Sequence, residues 1–322
     1  MMHPLDKQLQ AGLHGDFVTG REISKLAKPD DLRAQFNAGW YDLMDGKLQE
    51  GMRRIDCGRQ IEVFGSKCSS FMPQWTLEAP RGSIVMVNLE GGLGDQIHGA
   101  RWARELDRYG MKVILAGSAQ LAPILSACPG VSAFVQTEAL AGVYHTHWLP
   151  SMSAVRAFNC EWGDLNGTPY ITSQPRKGNG SLRVGIRWAG NPTFEHEQYR
   201  RFDPSELFSL PDVTLVSLQQ NAAASLPDHI ERPRIATWEQ TKSAIETCDL
   251  VISSCTSVAH LSAAMGKPTW IIVPILPYYL WALPGEHTPW YDNVTLFRQT
   301  EYGDWSIPLN AIRAQLGMRH AA

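Results

Sequence analysis

The sequence has few cysteines, and none of them stands in a metal-binding or disulfide pattern. Its 322 residues include six cysteines, and no two of them have the C-x-x-C spacing. This argues against the common structural zinc sites and against a disulfide framework. Scattered, unpaired cysteines favour a reduced, cytoplasmic setting.

The sequence also lacks blocks of like charge. The formal net charge is -3, and charged residues make up 19% of the chain. This argues against a broad basic surface for nucleic acid, although a small local patch remains compatible with the composition.

Long uninterrupted apolar runs are absent as well. The opening residues, MMHPLDKQLQ, have no apolar segment of the kind found in secretory signals. The longest apolar run, PTWIIVPILPYYLWALP, is broken by prolines and is too short to cross a bilayer. We therefore expect no transmembrane segment.

A helical segment is predicted ahead of the main domains, over residues 1–78. Phe36, Trp40 and Leu43 share one stripe, and Leu48 and Met52 begin another. The glycine-containing break between the stripes predicts one helical hairpin resembling a tetratricopeptide unit. A single unit cannot bury its own apolar face, so we expect it to pack on the rest of the protein. Residues 1–30 give little signal.

The remainder of the chain alternates between strands and helices, which is typical of parallel sheets. The pattern stops at a polar stretch, QPRKGNGS (174–181), and then restarts. We predict an α/β protein with two Rossmann-like halves, 79–176 and 177–322, and a ligand cleft at the carboxyl ends of their strands. Predicted elements include helices at 95–109, 119–128 and 204–210 and a strand at 234–238. The last helix could pack back on the N-terminal half.

A glycine loop, GGLGD, joins a strand to a helix in the first half. This geometry suits an anion, but the loop does not match the dinucleotide pattern G-x-G-x-x-G. Asp95 would repel a phosphate there. We infer that Asp95 accepts a proton or holds a hydroxyl, or that it caps the helix that follows.

Three loops in the second half are candidate ligand-binding sites. The helix that begins at Thr256 and Ser257 could hold a diphosphate or be an ordinary capped helix. Arg200 and Arg201 could grip phosphate oxygens or form a solvated charged loop. Gln219, with Gln220, could read a base edge or simply occupy a turn.

Several segments, taken in order, resemble one family. They are QWTLEAPRGSIVMVNLEGGLGDQIHGARWARELDRYGMKVILA, VGIRWAGNPTFEHEQYRRF, VSLQ, DLVISSCTSVAHLSAAMGKPTWIIVP and TPWYDNVTLFRQTEYGDW. The set, over about residues 75–317, resembles bacterial tetratricopeptide-associated glycosyltransferases. That group is similar to heptosyltransferases and, more distantly, to O-linked N-acetylglucosamine transferases.

The resemblance implies a GT-B fold and an inverting glycosyltransferase that needs no metal or other cofactor. It takes a nucleotide sugar as donor and a hydroxyl as acceptor. Asp95 would be the general base. His260 could orient the donor loop or face the core. The implied donor side is Trp188, Asn191, Arg200, Arg201, Gln219, Thr256, Ser257, Val258, Ala259 and His260. The implied acceptor side is Gly92, Gly94, Gln96 and His147.

Two positions depart from the family pattern. Cys255 stands where the family has an acidic residue, and Leu280 stands where it often has an arginine. A helix N-terminus can activate a thiol, but a buried, inert cysteine is the other reading of Cys255. These departures leave two alternatives open: a non-catalytic relative that binds a nucleotide sugar or a partner, and a sugar-nucleotide epimerase.

Overall fold

The computed structural model describes residues 4–65, 70–176, 180–210, 213–220 and 226–320. Cys68 and residues 177–179 of the predicted linker lie outside these ranges. The described chain forms a helical N-terminal segment followed by two parallel sheets, one of four strands and one of five. The predicted α/β class with two Rossmann-like halves is confirmed.

The N-terminal segment consists of two helical hairpins. The first joins α1 (Pro4–Leu13) to α2 (Phe17–Lys25), and the second joins α3 (Leu32–Met44) to α4 (Leu48–Ile55). A 3₁₀ turn, Asp56–Arg59, follows. The sequence reading identified the second hairpin and missed the first, so the prediction of a single hairpin is wrong.

A repeated pair of glycines is the signal that could have revealed the first hairpin. Gly15 and Gly20 recur as Gly46 and Gly51 with the same spacing. Gly15 and Gly46 both have positive φ, 81° and 79°, at the turn between the two helices. Gly51 lies where its helix crosses α3 and a side chain would collide with Leu43. The first hairpin therefore repeats the turn geometry of the second.

The first sheet has the order β3-β2-β1-β4, with all strands parallel. Its strands are β1 (Ile84–Asn88), β2 (Lys112–Gly117), β3 (Val131–Gln136) and β4 (His147–Pro150). Its helices are α5 (Leu93–Gly99), α6 (Trp102–Arg108), α7 (Ala122–Leu125) and α8 (Ala154–Ala157). The predicted helix at 95–109 is thus divided between α5 and α6, and that at 119–128 contains only a 3₁₀ turn and the short α7.

The second sheet has the order β6-β5-β7-β8-β9, again parallel throughout. Its strands are β5 (Leu182–Arg187), β6 (Val213–Ser217), β7 (Leu250–Ser254), β8 (Thr269–Val273) and β9 (Val294–Arg298). Its helices are α9 (Trp238–Glu246), α10 (Ser257–Ala264) and α11 (Ser306–His320). Every residue of β7 and β8 is buried, as expected for central strands covered on both faces.

Two predicted elements of the second half are wrong, and the last helix packs within the second half. Residues 234–238 form no strand. The segment just before them pairs with the sheet only as a single bridge, between Glu231 and Val216. Residues 204–210 contain only the 3₁₀ turn Ser205–Leu207. The apolar face of α11 packs in the core of the second sheet, beside Phe297, and not back on the N-terminal half.

The helical segment contacts both halves of the protein. Arg59 donates to the carboxylate of Glu90, next to the glycine loop, at 2.5 Å from Nε and 3.0 Å from Nη2. On the other side, the indole of Trp40 donates to the carbonyl of Pro277 at 2.9 Å. The segment therefore forms a third wall beside the space between the two sheets. None of the described helices is both long enough and apolar enough to cross a bilayer.

Candidate functional site

A cavity of about 1270 Å³ lies between the two halves, which we call the cleft. The glycine loop forms one side, and the loops after β5, β6 and β7 form the other. Residues of α1 and α3 close a third side, among them Leu9, Phe36 and Trp40. Of the predicted site residues, those that line the cleft are Gly92, Gly94, Asp95, Asn191, Arg200, Gln219, Thr256, Ser257, Val258 and His260.

Asp95 lies in the first turn of α5 and is held on both carboxylate oxygens. Its Oδ2 accepts a hydrogen bond from the Gly92 N–H at 3.0 Å. Its Oδ1 accepts from the hydroxyl of Tyr278 at 2.8 Å and from that of Tyr279 at 3.3 Å. Asp95 is therefore the third helical residue, reaching back to the N-cap Gly92, and not the N-cap itself. Asp95 therefore makes a capping contact within α5 and also lines the cleft.

The surroundings of Asp95 make its carboxyl a weaker acid than that of an exposed aspartate. Burial raises the pKa of the carboxyl to about 6, while the hydrogen bonds from Tyr278, from the Gly92 N–H and from Tyr279 oppose that rise. A carboxylate with this pKa is ionised at neutral pH and remains basic enough to take a proton from a bound hydroxyl.

Tyr278 and Tyr279 are functional candidates that sequence reasoning missed. They follow β8 in the second half, so they reach Asp95 across the cleft. The adjacent Leu280, one of the two departures from the resembled pattern, is buried in the apolar core. The paired tyrosines in the segment PYYLW were the available signal.

The N-terminus of α10 faces the cleft in the second half. Thr256 is the N-cap, but among the described residues its hydroxyl makes no capping bond and contacts the hydroxyl of Ser253 at 3.1 Å instead. Ser257 begins the helix and meets α5, because a Cβ placed on Gly94 would be 3.3 Å from the Ser257 Cα. The glycine loop and the positive end of α10 are thus in direct contact.

Cys255 is an inert neighbour of this helix end. Its Sγ accepts a hydrogen bond from the Trp281 indole at 2.8 Å, and burial raises the pKa of the thiol to about 12. The thiol is therefore protonated at neutral pH. These contacts support the reading of Cys255 as a buried cysteine and not a reactive one.

The two predicted arginines occupy different environments. Arg200 donates from Nε to Glu197 at 2.6 Å and from Nη1 to the carbonyl of Cys255 at 2.8 Å. Glu197 also accepts from the backbone N–H of Gly190. Arg201 is exposed and does not line the cleft. Arg200 thus connects the loop after β5 to the N-terminal end of α10.

Gln219 joins two loops of the second half. Its Oε1 accepts from the backbone N–H of Ala189 at 3.1 Å. Asn191 forms a local turn, since its Oδ1 accepts from the backbone N–H of Thr193 at 3.1 Å. Both side chains are available to the cleft, whereas Trp188 packs beside Phe208 at the edge of the second core.

Gln96 and His147, both predicted on the acceptor side, do not line the cleft. Gln96 braces the glycine loop, because its side chain donates to Gly91 O at 3.2 Å and accepts from the Ser118 N–H at 2.9 Å. His147 begins β4 and is paired with Val85 near the start of β1. It therefore lies at the amino edge of the sheet, opposite the cleft. Ala259 is fully buried within α10.

A buried polar cluster joins the halves behind the cleft. Arg101 donates to the carbonyl of Trp290 at 2.7 Å, and its guanidinium lies 4.5 Å from the centroid of the Tyr291 ring. The Tyr291 hydroxyl lies 3.3 Å from Nδ1 of His98 and 3.1 Å from Nδ1 of His260. Burial lowers the pKa of His260 to about 3, so this ring is neutral and acts as a packing and hydrogen-bonding group.

Arg187, at the end of β5, is a further residue that sequence reasoning missed. Its side chain is buried, lines the cleft and donates to the carbonyl of Leu218 at 2.9 Å. The available signal was an arginine at the carboxyl end of the strand LRVGIR, the end that faces the predicted cleft. Within the part of the chain that the structure describes, no cluster of three His, Cys, Asp or Glu side chains could hold a metal ion.

The comparisons with known proteins identify the fold. No family model matches the chain, and no curated protein matches it. The glycosyl transferase family 9 structure from Veillonella parvula is similar with a TM-score of 0.51 at 8% identity, covering 76% of this chain and 99% of that one. This likeness shows a GT-B-like architecture, as the sequence resemblance implied.

Two further structures have lower scores. The E. coli heptosyltransferase WaaC with ADP has a TM-score of 0.48 at 12% identity, covering 73% of this chain and 99% of that one. The E. coli ADP-heptose lps heptosyltransferase II has a TM-score of 0.47 at 11% identity, covering 72% and 99%.

Proposed function

We propose that the protein is an inverting glycosyltransferase that moves a sugar from a nucleotide-sugar donor to a hydroxyl acceptor, within the tetratricopeptide-associated group. The observation that carries this proposal is the position of Asp95. Its carboxylate, from the first half, lines the same cleft as the N-terminus of α10, from the second half. A basic carboxylate opposite an anion-binding helix end suits a transfer in which a diphosphate departs.

In the proposed reaction, Asp95 takes the proton of the acceptor hydroxyl while that oxygen attacks the anomeric carbon. The new carbon–oxygen bond forms as the bond between the anomeric carbon and the diphosphate oxygen breaks, and the electron pair leaves with the diphosphate. A single displacement of this kind inverts the anomeric centre. The backbone N–H groups at the start of α10, together with the Ser257 hydroxyl, stabilise the charge that develops on the leaving group.

We assign donor binding and acceptor binding to the two opposite walls of the cleft. Residues 177–322 would bind the donor, with Gln219 and Asn191 near the nucleotide, and residues 79–176 would present the acceptor. The helical segment 1–78 adds Phe36 and Trp40 as a third wall of the cleft. The five described cysteines are free, which supports a reduced, cytoplasmic setting as part of the proposal.

The proposal is tested in two stages. Thermal-shift screening against nucleotide sugars with different bases first finds a donor. Release of free nucleoside diphosphate is then measured with and without a panel of hydroxyl acceptors and with a metal chelator. We expect release that depends on acceptor, is unaffected by chelator and is lost in Asp95→Asn while donor binding persists.

Other outcomes of the same experiment identify the alternatives. Conversion of a nucleotide sugar in the absence of acceptor would show an epimerase. Donor binding without turnover over the whole acceptor panel would show a non-catalytic relative, and full activity in Asp95→Asn would remove the proposed base.

A further inference from the structure

The arginines predicted to bind the diphosphate do not supply a net positive charge beside it. The guanidinium of Arg200 is paired with the buried carboxylate of Glu197 at 2.6 Å, so these two groups together carry no net charge. Arg201 is exposed and lies outside the lining of the cleft. A departing diphosphate gains negative charge, so another cation is needed beside the helix end.

Arg187 is a candidate for this cation. It is the last residue of β5 and is paired in register with Ser253 on β7. Paired residues of neighbouring strands point to the same face of a sheet. The hydroxyl of Ser253 lies 3.1 Å from the hydroxyl of Thr256, the N-cap of α10. The backbone of Arg187 is therefore next to the N-terminus of α10, while its guanidinium extends to the Leu218 carbonyl after β6 and lines the cleft.

The guanidinium of Arg187 is incompletely satisfied. The side chain is only 9% exposed, and Nη1 donates to the Leu218 carbonyl at 2.9 Å. Its Nε is buried without a hydrogen-bond partner, and no carboxylate among the described residues forms an ion pair with it. Burial lowers the pKa of Arg187 to about 10, so the group still carries its charge at neutral pH. The carboxylate whose charge acts on Arg187 is Glu197, and it is already paired with Arg200. The two arginines and one glutamate therefore leave one positive charge that an anionic ligand would balance.

We propose that Arg187 binds the diphosphate of the donor and provides the net positive charge that holds the leaving group beside α10. This inference rests on the proposed function, because it takes the anion to be a nucleoside diphosphate. Arg200 then serves mainly to hold the loop after β5 against α10, through Glu197 and the Cys255 carbonyl.

The test is a calorimetric titration of the full chain with ADP, GDP and UDP, using whichever of them the wild type binds. The variants are Arg187→Gln, Arg187→Lys and the control Arg313→Gln, which changes an exposed arginine of the same half. We expect Arg187→Gln to raise Kd by about 10- to 100-fold, in line with the loss of charge-assisted hydrogen bonds. Lysine keeps the charge but loses the planar fork, so Arg187→Lys should raise Kd by about 3- to 10-fold.

A purely structural role gives a different result. Loss of the bond to Leu218 alone would lower the melting temperature of Arg187→Gln and leave the Kd of the folded protein unchanged, which would overturn the inference while the proposed function stood. If Arg187→Gln does not fold, an unchanged Kd in Arg187→Lys overturns it equally. A wild type that binds none of the three diphosphates would instead overturn the proposed function.

Discussion

The hydroxyl of Tyr278 donates a hydrogen bond of 2.8 Å to Oδ1 of Asp95, although the two residues are 183 positions apart. One belongs to the loop after β8 in the second half and the other to the glycine loop of the first. The contact places a donor from one half on the candidate base of the other. The protonation of that base therefore depends on how the halves are assembled.

The first prediction concerns pH. If the ionised Asp95 is the base, the rate of transfer should fall as the pH drops through about 6, the raised pKa of this carboxyl. Below that point the rate should decrease about tenfold for each pH unit, because the ionised fraction does so. Asp95→Asn should lower the rate by about 10²- to 10⁴-fold and remove this dependence. A pH–rate profile of diphosphate release checks both; a flat profile in the wild type would contradict the role of Asp95.

The second prediction concerns Tyr278→Phe. The hydrogen bond from Tyr278 lowers the pKa of Asp95, so its removal should raise that pKa further. The acidic limb of the pH–rate profile should move to higher pH. Tyr144→Phe, at an exposed tyrosine outside the cleft, is the control and should leave the limb in place. A shift to lower pH in Tyr278→Phe would show that the bond has the opposite effect.

The third prediction concerns the contact between α5 and α10. A Cβ on Gly94 would be 3.0 Å from Cδ2 of His260 and 3.3 Å from the Ser257 Cα, so Gly94→Ala crowds the junction of the halves. We expect a loss of about 1–3 kcal/mol in the free energy of unfolding. Gly163→Ala is the matched control, since a Cβ there meets open space. Both variants share the backbone-entropy gain of alanine, so equal unfolding midpoints in denaturant would show that the junction is loose.

The fourth prediction concerns Arg59 and Glu90. Arg59→Met leaves the carboxylate of Glu90, which is 6% exposed, without its charged partner. The free energy of unfolding should fall by about 3–5 kcal/mol. Arg53→Met breaks the exposed pair with Glu50 and should cost at most about 1 kcal/mol. Urea denaturation compares the two; similar small losses would mean that the Arg59 pair does not stabilise the attachment of the helical segment.

The fifth prediction concerns Cys255. Burial raises the pKa of its thiol from 9.0 to about 12, so its thiolate fraction should be about 1,000-fold lower than that of a free thiol. In the native protein, iodoacetamide should leave Cys255 unmodified, and in denaturant it should modify all six cysteines. Peptide mass spectrometry measures each site. Rapid alkylation of native Cys255 would revive the reading of this residue as a reactive thiol.

The parts of the fold that the sequence predicted are those with a local signal. The buried central strands β7 and β8 are mostly apolar, and the glycine loop identifies the position of Asp95. By contrast, β4 has only four residues and little pattern of its own. Residues 1–30 gave no clear stripe, so the first hairpin was missed even though its glycines repeat those of the second.

The parts of the site that were missed depend on contacts between distant segments. Nothing near Tyr278 in the sequence indicates that its hydroxyl reaches Asp95. The position of Arg187 at a strand end was visible, but the groups that surround its guanidinium were not. His147 was predicted on the acceptor side, but the direction of the parallel sheet puts it at the amino edge, away from the cleft. The sequence likewise did not reveal that Arg200 is paired with Glu197.

The attachment of the N-terminal helices has a consequence for how the two halves can move. Trp40 is bonded to Pro277 in the second half, while Arg59 is bonded to Glu90 in the first. A hinge rotation that parted the halves would have to break one of these bonds and the Arg101–Trp290 bond as well. We therefore expect the helical segment to resist separation of the two halves.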